Sequence, residues 1–349
     1  MPLTLKARIV DPLGGSEWDN LVSSHPDSTI FHTATWAKVL TTSFGHRPVY
    51  LEFTRASNLS ALLPVMEVSS RLTGRRGVCL PFIDCCNPLI FEGRDMSPIL
   101  HTLSSLGRQR NWKYFELRCG GNSLHPVVPA LVTLRGHNID LRSGIEVVFS
   151  RFDSSVRRAI RKAERSGLNV CLASSREAIL KFHRLHTVTR KRHGIPALPL
   201  SYFLRVYDSI IEPGLGFVVM VQKEARPVAA AVFFIYGKRA FYKFAASDLT
   251  FQDLRPSNLA MWRGIKSLMQ RGADTLHLGA TTMEGEGLRR FKLSWGSEEE
   301  VIRWFRFDLA KGTWSTPRRC GSRFHRKIFA TLPLALNRIA GAMLYRHRH

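Results

Sequence analysis

The sequence predicts a mixed α/β protein built from two related halves and a basic helical tail, and three observations carry that prediction. At 349 residues the chain exceeds one ordinary core, since domains run to roughly 100–200 residues. Short β-rich runs alternate with helix-spaced apolar segments in both halves. Each half also has a helix with a Phe-His pair (Phe31-His32, Phe182-His183) that leads through a glycine and a proline (Gly45 and Pro48; Gly194 and Pro196) towards a hairpin. Such an echo is expected of a duplicated domain with a cleft between its halves. The expected boundaries are 1–145, 146–312 and 313–349.

In the first half, Leu3 to Val10 is a strand candidate and Trp18 to Ser24 a short helix, while Phe31, Trp36, Leu40 and Phe44 recur at helical spacing. Val49–Phe53 and Leu59–Val68 read as a hairpin around the polar turn at Arg55–Asn58. Gly77 to Ile90 reads as irregular, Met96 to Arg110 as a helix and Lys113 to Arg118 as a strand. After a Gly- and His-containing boundary near Arg135–Gly144, a basic helix spans about Asp153 to Ser166, with Gly167 to end it. A strand at Leu168–Leu172 and helices at Arg176–Arg192 and Tyr202–Ile211 follow. Phe217–Gln222, Val228–Tyr236 and Ala240–Ala245 form a meander. Asn258–Arg271 then reads as a helix, and Thr275–Leu278 and Val301–Asp308 as strands.

With 44% hydrophobic and 22% charged residues, the chain has the composition of a folded globular protein and not of a disordered one. The N-terminus turns charged within a few residues, unlike a signal peptide, and no apolar run reaches the roughly 18 residues that span a bilayer. A cytoplasmic location is therefore expected, with any membrane contact peripheral. The six cysteines are too scattered for a disulfide framework, and no paired CxxC or histidine motif completes a metal site, so no metal is expected. The formal net charge of +24 favours anionic partners such as nucleic acid, anionic lipid or phosphorylated substrates.

Four stretches stand out in the second half: Ser155–Gly167, Leu185–Arg190 through His193-Gly194-Ile195-Pro196, the strand end Tyr242–Ser247, and Gly287–Gly296 with its RRFKLSWG run. On these the second half resembles FemABX-type, GNAT-like acyltransferases. More loosely the resemblance takes in Leu80-Pro81-Phe82 with Asp84. With Leu332–Arg338 added, the chain is most similar to the FemAB-like proteins that accompany exosortase and exopolysaccharide systems. The resemblance implies two tandem GNAT domains, each a mixed, mostly antiparallel sheet flanked by helices. It implies amide formation between an activated acyl or aminoacyl donor and an amine, on a cell-envelope or polysaccharide precursor bearing phosphates. No bound cofactor is expected, and the donor, aminoacyl-tRNA or acyl-CoA, is a co-substrate. Two alternatives stay open: an acetyl-CoA-dependent N-acetyltransferase, and a non-catalytic protein that binds RNA or a membrane surface.

Amide formation needs a neutral amine, a route for its proton and a stabilised oxyanion. Lys292 matches the position whose lysine lies at the family's acyl-transfer site, with Phe291 beside it; the bland reading is a lysine exposed on a loop after Gly287. Tyr242 and Lys243 end a strand, where alternation sends them to opposite faces, and of the two Tyr242 is favoured for substrate contact, although a tyrosine on a strand is more often part of the core. Arg157, Arg158 and Arg161 share a helix and suit phosphate, or else make a solvated face. Leu254–Asn258 replaces the Gly-rich pyrophosphate turn of CoA-dependent relatives without a glycine, leaving Arg255 to meet a phosphate and Asn258 near a helix start. Asp84 can hold an amine or sugar hydroxyl, or bond its own turn. In the tail, Phe324, Ile328, Leu332, Leu336, Ile339 and Met343 recur at helical spacing among basic residues. That helix, kinked or split at Pro333, can lie on anionic membrane or dock on its own domain.

Overall fold

The computed structural model describes residues 5–93, 95–120, 124, 128–317 and 329–347. In chain order the elements are β1 (Lys6–Val10), α1 (Glu17–Ser23), α2 (Ala34–Phe44), β2 (Arg47–Pro48), β3 (Tyr50–Arg55), β4 (Asn58–Leu63), β5 (Met66–Ser70), β6 (Gly74–Val78), β7 (Leu89–Ile90), α3 (Ser97–Gln109) and β8 (Trp112–Gly120). There follow β9 (Val132–Asp140), α4 (Ile145–Ser150), α5 (Ser154–Glu164), β10 (Asn169–Ala173), α6 (Arg176–Arg192), α7 (Leu200–Val206), β11 (Gly216–Lys223), β12 (Arg226–Tyr236) and β13 (Arg239–Ser247). The series closes with α8 (Pro256–Gln270), β14 (Thr275–His277), β15 (Thr281–Thr282), α9 (Glu286–Leu293), β16 (Glu298–Asp308), β17 (Thr313–Trp314) and α10 (Leu334–Leu344). Among the described residues no helix is long and apolar enough to cross a membrane.

Two compact units result, residues 1–134 with 301–319 and 345–349, and residues 135–300 with 320–344. They are not the contiguous pieces expected from the sequence. Strand pairing gathers distant segments: Ile302 to Asp308 of β16 lie antiparallel to β8, from Gly120 to Tyr114, and so return to the first unit.

The first unit has one antiparallel sheet ordered β1-β3-β4-β7 and a second path β16-β8-β6-β5-β2. The turn from β3 to β4 is tight, and Ala56 and Ser57 take φ of 47° and 69°, the mirror-image conformation that suits the twist of a hairpin. Pro64 and Val65 separate β4 from β5, so the single run expected over Leu59–Val68 is two strands. At the start of α2, the Thr33 hydroxyl accepts from the Trp36 N–H, and Gly45 at φ 71° closes the helix. Trp18, Trp36, Tyr50, Phe53 and Phe115 are fully buried and make this unit's core.

The second unit's sheet runs β10-β11-β12-β13-β14-β9. The β11–β12–β13 meander is antiparallel as expected, whereas β13 and β14 are parallel. The stretch expected as a boundary near Arg135–Gly144 overlaps β9, whose His137, Asn138 and Asp140 occupy strand positions that an apolar search passes over. β11 and β12 are buried almost throughout, the mark of strands covered on both faces. Phe217, Val219 and Val221 share a core with Val156 and Ile160 of α5 and Leu259 and Ile265 of α8. A Cβ on Gly264 would run into the Phe233 ring, so glycine sets how closely α8 approaches the sheet.

Candidate active site

The sheet of the second unit opens a cavity of about 180 Å³ where α6 ends, β13 ends and α8 begins. Its walls include Thr189, Arg192, Tyr242, Ser247 and Ser257. Alanines at 230, 245, 246 and 260 leave the space, because none has a side chain long enough to fill it. A local staple fixes the rim: the Ser247 N–H donates to the Thr189 hydroxyl oxygen at 3.1 Å, the Thr189 hydroxyl lies 3.2 Å from the Ser247 carbonyl, and the Arg192 guanidinium donates to that carbonyl at 3.3 Å.

Tyr242 reaches this cavity because β13 carries a bulge. Val232 pairs with Phe244 but Phe233 pairs with Tyr242, so Lys243 is an extra residue. Without the bulge, Tyr242 and Phe244 would share a face. With it, the Tyr242 ring packs 5.4 Å from Phe233, while Phe244 lies 5.2 Å from Phe203 of α7. Burial holds the Tyr242 hydroxyl above the usual tyrosine range, so at neutral pH it is a hydrogen-bond donor and not a base.

At the start of α8, Arg255 takes φ 59° and Pro256 occupies the first helical position. The left-handed conformation is the one a glycine would otherwise supply, and Pro256 is pre-set for the helix. Ser257 of the first turn lines the cavity, whose helix-end partial charge favours a negative group there. Asn258 belongs to the same turn, its N–H donating to the Arg255 carbonyl at 3.1 Å.

Lys292 is elsewhere and is not on a loop. It lies in α9, 5% exposed, and its ammonium donates to the carbonyls of Gly279 at 2.7 Å and Ala280 at 3.0 Å. A lysine is buried this deeply only when its protons are matched. The helix is anchored further by Arg289, whose fork grips both Glu299 oxygens at 2.8 Å. Phe291 turns outward, 37% exposed, while Trp295 is buried 5.0 Å from the Phe152 ring. His137, fully buried, stands 3.8 Å from Glu299. Burial and then the Lys292 charge push it down to about 4, and among the described residues neither ring nitrogen has a hydrogen-bond partner.

The arginines of α5 split by face. Val156, Ile160 and Ala163 point inward, while Arg158, Arg161, Lys162 and Arg165 line an open depression of about 530 Å³. Arg157 is half-buried and donates to the Ser150 carbonyl at 3.0 Å. Asp84 belongs to the first unit, where its carbonyl accepts from the Trp304 indole at 2.8 Å. Nearby, Leu80 and Phe82 take φ of 54° and 62°, and the buried Arg118 donates to the Ile83 carbonyl at 2.8 Å and lies 4.1 Å from the Trp304 ring. Thus Tyr242 shares a cavity with the α8 start, whereas Lys292 with His137, and the α5 arginines, form separate groups within the second unit. Thr189, Ser247 and Ser257 fall within the stretches Leu185–Arg190, Tyr242–Ser247 and Leu254–Asn258 of the sequence reading without a substrate role there, and Arg192 has no signal of its own beyond lying next to the first of them.

Residues 150–299 match the model of the acetyltransferase (GNAT) domain. The lipid II:glycine glycyltransferase of Staphylococcus haemolyticus (strain JCSC1435) is 22% identical over 44% of this chain and 53% of its own length. The chain thus spans about half the length of that curated relative. Among solved structures, FemX superposes with a TM-score of 0.68 at 14% identity, over 85% of this chain and 96% of FemX. L-PGS from Bacillus licheniformis gives 0.56 at 13%, over 98% and 100%. A tandem GNAT protein from the clavulanic acid biosynthesis pathway gives 0.55 at 9%, over 88% and 99%. The chain has a mixed α/β, GNAT-like fold whose structural neighbours include tandem GNAT proteins.

Proposed function

We propose that this protein is an N-acyltransferase that joins an activated acyl or aminoacyl donor to an amine on a cell-envelope or polysaccharide-related precursor, at the cytoplasmic side of the membrane and in the setting of exosortase-type systems. The observation that carries the reading is the small cavity that brings Tyr242 to the start of α8. The likeness to a lipid II:glycine glycyltransferase supports the choice of donor and acceptor class.

In the reaction the amine nitrogen attacks the donor carbonyl carbon, the C–N bond forms as the C–O or C–S bond breaks, and one amine proton leaves with the departing alcohol or thiol. Tyr242, held protonated, donates to the developing oxyanion or to the leaving group. Lys292, held by two carbonyls outside this cavity, acts at a distance by fixing α9, on whose outer side Phe291 is open to substrate. Arg255 and Asn258 receive a phosphate of the donor at the helix start, where aminoacyl-tRNA or acyl-CoA both bring one. Arg157, Arg158 and Arg161 of α5 hold phosphates of the acceptor or of a tRNA. The reaction needs no metal and no resident cofactor.

Arg255 in the left-handed conformation that a glycine would otherwise supply, at a helix start with no side-chain cap, favours a second reading, an acetyl-CoA-dependent N-acetyltransferase. The third, a non-catalytic RNA- or membrane-binding protein, draws on the charge of +24 alone. Thermal-shift measurements with acetyl-CoA, charged tRNA and lipid-linked precursors, followed by mass spectrometry of products, separate them, because a ligand that binds the native state raises its melting point. Amide product from charged tRNA supports the first reading. Consumption of acetyl-CoA alone replaces it with the second, and binding without any product leaves the third.

A further inference from the structure

We infer that α10 is a membrane-docking element whose outer face lies on anionic phospholipid, independently of the reaction proposed above. The helix is inverted relative to an ordinary surface helix. Asn337 and Gly341, four residues apart, are its buried positions, while Leu336, Ile339 and Met343 are 49%, 55% and 64% exposed. Residues three and four apart share a side, so these three form one outward apolar stripe. Ala335 and Ala342, also exposed, flank it.

The polar side is what holds α10 to the second unit. The Ala197 N–H donates to the Asn337 side-chain oxygen at 2.9 Å, and the Asn337 amide donates to the Ile195 carbonyl at 3.4 Å. A Cβ on Gly341 would run into the Ala197 carbonyl, so the backbones touch there. Fixing a helix through a buried asparagine and a glycine while leaving leucine, isoleucine and methionine outside exposes a contiguous patch of the kind that marks an interaction surface. Charge selects the occupant. From Leu309 to His349 the sequence has nine lysine and arginine residues and no aspartate or glutamate. An apolar stripe within an unbalanced basic segment matches an anionic bilayer, which takes both the insertion and the charge.

The test is co-sedimentation of the full chain with vesicles of phosphatidylcholine alone and with roughly 30% phosphatidylglycerol added. The wild type is expected to pellet with the anionic vesicles and not with the neutral ones. Ile339→Ser with Met343→Ser is expected to lower that partitioning about tenfold or more, at an unchanged melting temperature, since both side chains point outward. Sedimentation velocity without lipid runs alongside. The inference fails if the wild type stays in solution with anionic vesicles, or if the double variant pellets as well as the wild type. It also fails if the stripe instead holds a concentration-dependent dimer that the variant breaks.

Discussion

Lowering the pH should weaken the second unit through His137. Its imidazole sits fully buried in β9, and burial, with the Lys292 charge adding to it, holds it at about 4 instead of the ordinary 6.5. Above pH 6.5 both folded and unfolded chains carry it neutral, and it makes no pH-dependent contribution. Between 6.5 and about 4 only the unfolded chain takes the proton, so stability falls as the pH falls. At about 1.4 kcal/mol per pH unit, the loss attributable to this one side chain reaches about 3 kcal/mol by the bottom of that window. His183 and His186 are also held low by burial, so the wild type alone does not isolate the effect. Urea unfolding at pH 7.5 and 4.5, compared between the wild type and His137→Gln, does: the variant should lose about 2–3 kcal/mol less on acidification, whatever it costs at pH 7.5. Histidine NMR gives the same quantity directly, with Lys292→Met moving the His137 titration upward. Equal acid sensitivity in the two proteins, or a His137 titration near 6.5, would refute the reasoning.

Two further outcomes follow from the packing. Arg255→Gly removes a side chain from a left-handed position and should leave stability within about 1 kcal/mol of wild type, because relief of strain offsets the added chain entropy. Binding of a phosphate-bearing donor should weaken in the same variant, measured by calorimetry, and unchanged affinity removes Arg255 from the donor site. Gly264→Val places side-chain atoms where the Phe233 ring already lies, and thermal unfolding should show a loss of about 1–3 kcal/mol.

Much of the framework was legible because it depends on local pattern. The β11–β13 meander, the α2 end at Gly45 and the α5 end near Gly167 all follow from short runs of apolar alternation or from a glycine that takes positive φ. What escaped the sequence depends on contacts between distant segments. β9 is a strand because Leu276 and His277 of β14 pair with its Ile139 and Asn138, not because its own residues alternate cleanly. The bulge at Lys243 cannot be seen without the pairing partner, and it decides which side chain of β13 faces the cavity. Lys292 reads as an exposed charge in one dimension; its burial depends on carbonyls 12 and 13 residues earlier. The tail's periodicity is plain, but its buried side is the polar one, which amphipathicity alone assigns the other way round. Of the tail positions expected to be apolar contacts, Phe324 and Ile328, like Cys320, lie outside the described residues.

The cavity at Tyr242 is the centre of this account, and single-turnover amide formation tests it most directly. The purified chain is mixed with charged tRNA and a lipid-linked amine acceptor, and the amide is followed by mass spectrometry, for the wild type and for Tyr242→Phe. The wild type should form the amide, and the variant, which keeps the ring that packs on Phe233 but loses the proton donor, should be slower by about 10²-fold or more at an unchanged melting temperature. Equal rates in the two proteins would contradict the claim that the Tyr242 hydroxyl takes part in acyl transfer.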